Sequence, residues 1–354
     1  MREEYELEVL DRYDIEVRST RKIRGAFFCD TDEGTMLLKE TKISGQRAPL
    51  LYMVLNCLEE RGNVKVDTPV FTRDGELLVD LRDGRRYMLK KWYQGRECDV
   101  RQEKEVLRAV EILAVLHNEL ERITPEAVHS AVQSKTPELS VPGRLPILPV
   151  SILPAGRDPV DEIRRHNREL KKVRSFIRGR VTKNEFEYLF LENFEKMYQL
   201  AEQVLFRLES SGCPALFQTE LARGSLAHGE YNYHNILVME SGMAVTNFEH
   251  MHAGIRVHDL YYFIRKIMEK YTWKQKTGQK ILEAYENTRK LGWEEKEYVG
   301  LRLAYPEKFW KTASSYYHSN KAWLPQKNVE KLELAVRQTE EKRAFLENIF
   351  SISI

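Results

Sequence analysis

The stretch from His228 to Val238, His-Gly-Glu-Tyr-Asn-Tyr-His-Asn-Ile-Leu-Val, constrains this chain more than any other. It sets an acid, Glu230, two residues after a histidine, and an asparagine, Asn235, five residues after the acid. The apolar run Ile236 to Val238, a Ser241-Gly242 turn and a second run through Ala244 and Val245 read as a short β-hairpin. That hairpin delivers Asn247-Phe248-Glu249 as a second acidic segment. A lone histidine-x-acid pair carries little weight. Loop, hairpin and second segment in this order carry more, the plain alternative being an ordinary polar loop before a hairpin.

The spacing is that of a kinase catalytic loop, with Asn247-Phe248-Glu249 where kinases place their metal-binding Asp-Phe-Gly. In that chemistry the loop acid takes the acceptor hydroxyl's proton, the asparagine holds one magnesium ion, and the second segment holds another that bridges the phosphates. Glu230 and Asn235 are therefore the candidate catalytic residues, and Asn235, Asn247 and Glu249 the candidate metal ligands. Two departures weaken the expected reaction. Glu230 carries its carboxylate one methylene further from the backbone than aspartate, and a misplacement of about 1 Å costs on the order of a hundredfold in rate. Asn247 offers a neutral amide to a hard cation that prefers carboxylate oxygens. Glu249, two residues on and so on the same side of an extended strand, is the candidate replacement.

Upstream, residues 1–12 read as a short helix. Strands are expected at 15–18, 25–30 and 35–40, with a hairpin turn at Thr31-Asp32-Glu33-Gly34. Lys39, at the end of the third strand, stands where a lysine would pair a nucleotide's α- and β-phosphates, although a lysine there is commonly a solvated edge residue. No glycine-rich phosphate loop precedes it, only Arg24-Gly25. A helix at 46–60 carries Leu50, Leu51, Val54, Leu55 and Leu58 at helical spacing, and its Glu59 is the candidate partner of Lys39. Strands at 69–72, 76–79 and 86–93 follow, and Gln94 to Cys98 reads as a hinge. Residues 90–94, including Lys90 and Trp92, would then line an adenine site.

Beyond the hinge the periodicity becomes helical, first at 101–121. Prolines at 125, 137, 142, 146, 149, 154 and 159 exclude most regular structure from about 123–160. The helix after it sets an apolar stripe of Ile163, Leu170, Val173 and Ile177 beneath a basic face that includes Arg164, Arg165, Lys172 and Arg174. Such a face is either solvated or docks an anionic polymer. Helices at 185–211 and 260–270 and several more to Phe350 complete an α+β chain. A small antiparallel β lobe with a helix, 1–92, and a larger mostly helical lobe, 93–354, are expected, the second containing the loop at 228–237.

Composition narrows the class. With 354 residues, 42% hydrophobic and 31% charged, the chain is globular in balance. Its charged N-terminus lacks a secretory apolar core, and no run has membrane-spanning length, so a cytoplasmic protein without a membrane partner is expected. A net charge of +2 gives no global attraction to nucleic acid. Cys29, Cys57, Cys98 and Cys213 are too scattered for a disulfide framework or cysteine zinc site. His228, His234, His250, His252 and His258 lack familiar zinc-ligand spacing.

Four segments together resemble the CotS family of spore coat proteins, a branch of the aminoglycoside phosphotransferase and choline kinase-like group. They are Gly229 to Asn235, Asp259-Leu260 with Arg265, Trp92 to Cys98, and Ala304-Tyr305-Pro306-Glu307-Lys308-Phe309-Trp310. The resemblance implies a two-lobed protein kinase-like fold and a bracing role for Asp259, with His228, at the catalytic-type loop. It implies a pseudokinase or vestigial phosphotransferase with a structural or assembly role, made in the mother-cell cytoplasm and deposited on the spore coat. Its partners would be other coat proteins or coat glycan, and its cofactors, if any, ATP and Mg2+. Two alternatives stand beside it: an active ATP-dependent kinase for a small-molecule acceptor, a sugar or amino alcohol hydroxyl, and an anionic-polymer binder using the basic helix.

Overall fold

The computed structural model describes residues 5–23, 25–123, 154–319 and 326–354. Most of the proline-rich segment, 124–153, thus lies outside the described residues. The chain forms two compact units, one of Met1–Ala155 with Gly224–Ala253, the other of Gly156–Arg223 with Gly254–Ile354. Compactness therefore does not divide the chain at Trp92: the catalytic-type loop and its hairpin belong with the N-terminal strands.

The first unit runs α1 (Tyr5–Leu10), β1 (Val17–Ile23), β2 (Ala26–Thr31), β3 (Gly34–Glu40), α2 (Arg47–Arg61), β4 (Lys65–Val66), β5 (Val79–Asp80), β6 (Arg86–Lys91), β7 (Arg96–Glu97), α3 (Glu103–Glu121), β8 (Leu226–Ala227), β9 (Ile236–Met239), β10 (Gly242–Val245) and β11 (His252–Ala253). Strands β1, β2, β3, β6 and β5 form an antiparallel sheet in that order. Alternation along β2 and β3 turns Phe27, Cys29, Met36 and Leu38 to one face, where they pack with Val9, Leu10 and Tyr13. The opposite face carries Phe28, Leu37 and Lys39.

Two expectations change here. The strands expected at 69–72 and 76–79 are reduced to a single bridge from Pro69 to Lys90 and the short β5; at Pro69 the missing N–H limits the ladder. The expected hinge at 94–98 contains β7, which pairs with β9 through Arg96–Val238 and Glu97–Leu237. Gly95 is needed there, since a Cβ at that position would lie 2.6 Å from the Val238 carbonyl oxygen. The 236–245 hairpin forms as expected, with Gly242 opposite Met239 and Val245 opposite Ile236. On its other side β10 pairs in parallel with β4, Val245 beside Val66. That pairing brings the residues just after β4 alongside those just after β10.

The second unit is helical: α4 (Pro159–Arg178), α5 (Glu185–Ser210), α6 (Cys213–Ala222), α7 (His258–Met268), α8 (Gln275–Glu286), α9 (Trp293–Ala304), α10 (Glu307–His318), α11 (Gln326–Arg337) and α12 (Thr339–Phe350). Asp158 caps α4 by accepting from the Val160 and Asp161 N–H groups, with Pro159 opening the helix. Asn184 and Glu187 form a capping box on α5. The apolar stripe of α4 packs on Phe186, Phe190 and Phe194 of α5 and Phe309 of α10. Its basic face is partly neutralised by neighbours: Arg164 pairs with Asp161 and Glu209, Arg174 pairs with Glu195, and Lys171 lies 5.0 Å from the Tyr198 ring centre. Among the described residues no helix is long and apolar enough to cross a membrane. The four cysteines are buried and unbridged.

Candidate phosphotransfer-type site

The loop between β8 and β9 is held from within. His228 is buried; its Nε2 lies 3.0 Å from the Thr246 carbonyl oxygen, and its Nδ1 accepts the Glu230 N–H at 3.1 Å. Those two bonds fix a neutral ring with the proton on Nε2. Gly229 has φ +84°, and a Cβ on it would sit 2.1 Å from the His250 carbonyl oxygen, so the turn requires glycine. The Tyr231 hydroxyl donates to the Ala109 carbonyl at 2.7 Å and ties the loop to α3. Asn235 donates from Nδ2 to the Glu230 carbonyl at 2.9 Å, closing the loop on itself. The Glu230 side chain is 36% exposed, with Oε2 3.5 Å from His250 Nε2. It is thus open to an approaching hydroxyl.

The second segment is wired differently. Asn247 adopts a left-handed backbone, φ 71° and ψ 48°, which asparagine tolerates better than most residues. Its N–H donates to Asp67 Oδ2 at 2.9 Å, its Oδ1 accepts from Lys39 Nζ at 2.7 Å, and its Nδ2 donates to Asn235 Oδ1 at 3.3 Å. Glu249 Oε1 faces Lys90 Nζ at 3.1 Å and Lys39 Nζ at 3.3 Å, while Oε2 accepts from the Thr41 hydroxyl at 3.1 Å. Arg47 donates to the carbonyls of Glu249 and Met251, both at 3.1 Å. Burial works against the Glu249 carboxylate, yet the two ammonium groups and the Thr41 hydrogen bond outweigh it and hold the pKa below the ordinary glutamate value.

The structure brings Lys39, Asn235, Asn247 and Glu249 together, but it rearranges two of the expected nucleotide residues. Glu59 does not meet Lys39; it pairs with Lys91. Lys39 is instead engaged by the segment after β10. Lys90 does not line an adenine site: its side chain is 1% exposed and lies between Asp67, at 3.3 Å, and Glu249. Trp92 stands edge-on to Phe28, with ring centres 6.1 Å apart. Nearby, a cleft of about 450 Å3 is bounded by Arg21, Phe28, Asp30, Tyr93, Gln94 and Gly95. Its size suits a small molecule. Asp259 is buried in the first turn of α7 in the second unit.

Asp67, Thr41 and Arg47 escaped the sequence reading. Asp67 is 1% exposed, and its position depends on the parallel pairing of β4 with β10. The histidines disperse: His234 meets Glu97 at 2.5 Å, His250 meets Glu230, and His258 meets the Tyr298 hydroxyl at 2.8 Å. Among the described residues no three histidine, cysteine, aspartate or glutamate side chains converge as metal ligands.

The donor set can be tested against a divalent ion. Magnesium demands near-octahedral oxygen ligands and favours carboxylates. Here Asn247 Oδ1 and Asn235 Oδ1 are neutral and already accept hydrogen bonds, and both Glu249 oxygens are engaged by lysines or a hydroxyl. The residues in this arrangement do not fit the ion.

No protein-family model and no curated protein sequence matches the chain. Solved structures do. An aminoglycoside phosphotransferase from Alicyclobacillus acidocaldarius superposes with a TM-score of 0.77 at 18% identity, covering 97% of this chain and 94% of that one. An AMP-bound spectinomycin phosphotransferase gives 0.62 at 13% identity, covering 96% and 97%. A microcompartment-associated aminopropanol kinase gives 0.59 at 14% identity, covering 97% of each chain. At these identities the likeness shows the fold, which is kinase-like, with an antiparallel N-terminal sheet and a helical C-terminal part.

Proposed function

We propose that this chain is a kinase-fold protein with weakened or lost phosphotransfer, acting as a structural or assembly component of the bacterial spore coat. The observation that carries the loss of chemistry is the engagement of Lys39. The lysine placed to hold phosphates donates to Asn247 and pairs with Glu249, so the nucleotide's contact and the metal's contacts neutralise one another inside the protein. A phosphate could reach Lys39 only by displacing both. The coat setting rests on the resemblance of Gly229 to Asn235, Trp92 to Cys98 and Ala304 to Trp310 to the CotS family. Other coat proteins or coat glycan are the partners this reading names, with deposition from the mother cell.

A second reading, an active ATP-dependent kinase for a sugar or amino alcohol hydroxyl, draws support from the accessible Glu230 carboxylate and the cleft beside Gln94. There Glu230 would take the acceptor's proton, and ATP would supply the phosphoryl group. One assay separates the two. Purified protein given ATP, magnesium and a panel of amino alcohols and aminoglycosides should release or transfer γ-phosphate far more slowly than about 1 per second, the lower end for kinases. Turnover at that rate or above contradicts the reading of lost chemistry. A fluorescent fusion that stays diffuse in the mother cell throughout sporulation contradicts the coat assignment.

A further inference from the structure

Lys90 is the least expected side chain in the first unit. It follows Tyr87, Met88 and Leu89, all buried, at a strand position that an apolar residue would fill without penalty. An ammonium group taken out of water is strongly disfavoured unless carboxylates compensate it. Two do, and neither is local: Asp67 follows β4, and Glu249 follows β10, 159 residues further along the chain. Asp67 is as buried as the lysine, its Oδ1 has no hydrogen-bond partner, and its Oδ2 is shared between Lys90 and the Asn247 N–H.

The charges balance around this point. Lys39 and Lys90 supply two positive charges, and Asp67 and Glu249 supply two negative ones. Asn247 adds none where a kinase would carry an acid. A carboxylate at 247 would leave one negative charge over and would call for a cation; without it, a fixed ammonium suffices. We infer that the Lys90 ammonium is a built-in cation that takes the place of a divalent metal ion at this site. This cluster therefore holds no divalent-ion site as it stands, and removal of Lys90 creates one from Asp67 and Glu249. This rests on the proposed reading of the site, and goes beyond it by naming what replaced the metal.

The test uses the full chain and manganese chloride alone, with no nucleotide. Wild type should show no stoichiometric Mn2+ binding by electron paramagnetic resonance of the free ion, and no shift of its melting midpoint. Lys90→Met should bind Mn2+ and gain on the order of 5 °C at saturating ion, and the double variant Lys90→Met/Glu249→Gln should lose that gain. Wild type that binds Mn2+ stoichiometrically, with binding abolished by Glu249→Gln, overturns the inference. So does a folded Lys90→Met that ignores the ion. If Lys90→Met fails to fold, the wild-type titration still decides. The two ideas fail separately: turnover near 1 per second without a bound metal refutes lost phosphotransfer only, whereas Mn2+ binding by a wild type without turnover refutes the built-in cation only.

Discussion

The two halves of the site are built from the same unit and differ in what their polar groups do. In the loop half, hydrogen bonds from His228, Tyr231 and Asn235 are spent on shape, and the Glu230 carboxylate is left open. In the half that follows β10, the side chains of Asn247 and Glu249 are bound to lysines, and the shape follows from ion pairing. One half thus keeps a partly exposed carboxylate while the side-chain oxygens of the other are turned inward to lysines. The likeness of fold does not distinguish these cases; the partners of each oxygen do.

The largest loss of stability is expected at Lys90. Replacing it with methionine leaves Asp67 buried without its counter-ion, and loss of one member of a buried pair costs about 3–5 kcal/mol. Urea unfolding of Lys90→Met against wild type measures it. The loop half is predicted to suffer next: Gly229→Ala forces a Cβ against the His250 carbonyl at positive φ, and should cost roughly 2–3 kcal/mol. Its effect should be insensitive to pH and salt, because shape and not charge is at fault.

The contrast was only partly legible in the sequence. Spacing alone located Glu230 and Asn235, and the hairpin placed Asn247 and Glu249, because those relations are local. The lysines could not be read the same way. Met88, Leu89 and Lys90 are all buried, so no alternation marked which face Lys90 occupied. Asp67 reaches the site through the parallel pairing of β4 with β10, its bond to the Asn247 N–H spanning 180 residues, and a single sequence carries no signal for that register. Glu59 is expected beside Lys39 as an acid at the end of the 46–60 helix; its partner is Lys91. Alternation along β6 sends Lys91 to the face opposite Lys90.

Acid sharpens the difference between the halves by a smaller amount. The Glu249 pKa is depressed in the folded protein, so its contribution is present in full above the ordinary glutamate value and is lost as pH falls through the depressed one. Lys90 has the opposite sign: burial lowers its pKa, Asp67 and Glu249 more than restore it, and its contribution fades only as pH rises above the ordinary lysine value. Urea midpoints measured from pH 6 down to about pH 3 should therefore fall more steeply in wild type than in Glu249→Gln. Identical slopes would show that the glutamate is not held by the lysines.

The smallest effect on folding is expected outside the site. Reversing Arg164, Arg165 and Lys172 to glutamate should leave the melting midpoint essentially unchanged, since exposed pairs contribute little. If the helix docks an anionic partner, the same variant should weaken association with isolated coat material in a salt-dependent manner. Unchanged association would leave a solvated face.

Whether lysines stand where a metal ion would sit beside Asn247 and Glu249 is decided by calorimetric titration of ATP into wild type and Asn247→Asp, each with magnesium and with chelator. Wild-type curves should not change when magnesium is removed, and the affinity of Asn247→Asp should rise about tenfold with the ion, the equivalent of roughly 1.4 kcal/mol. A wild type whose own affinity rises tenfold or more with magnesium would contradict that placement of the lysines.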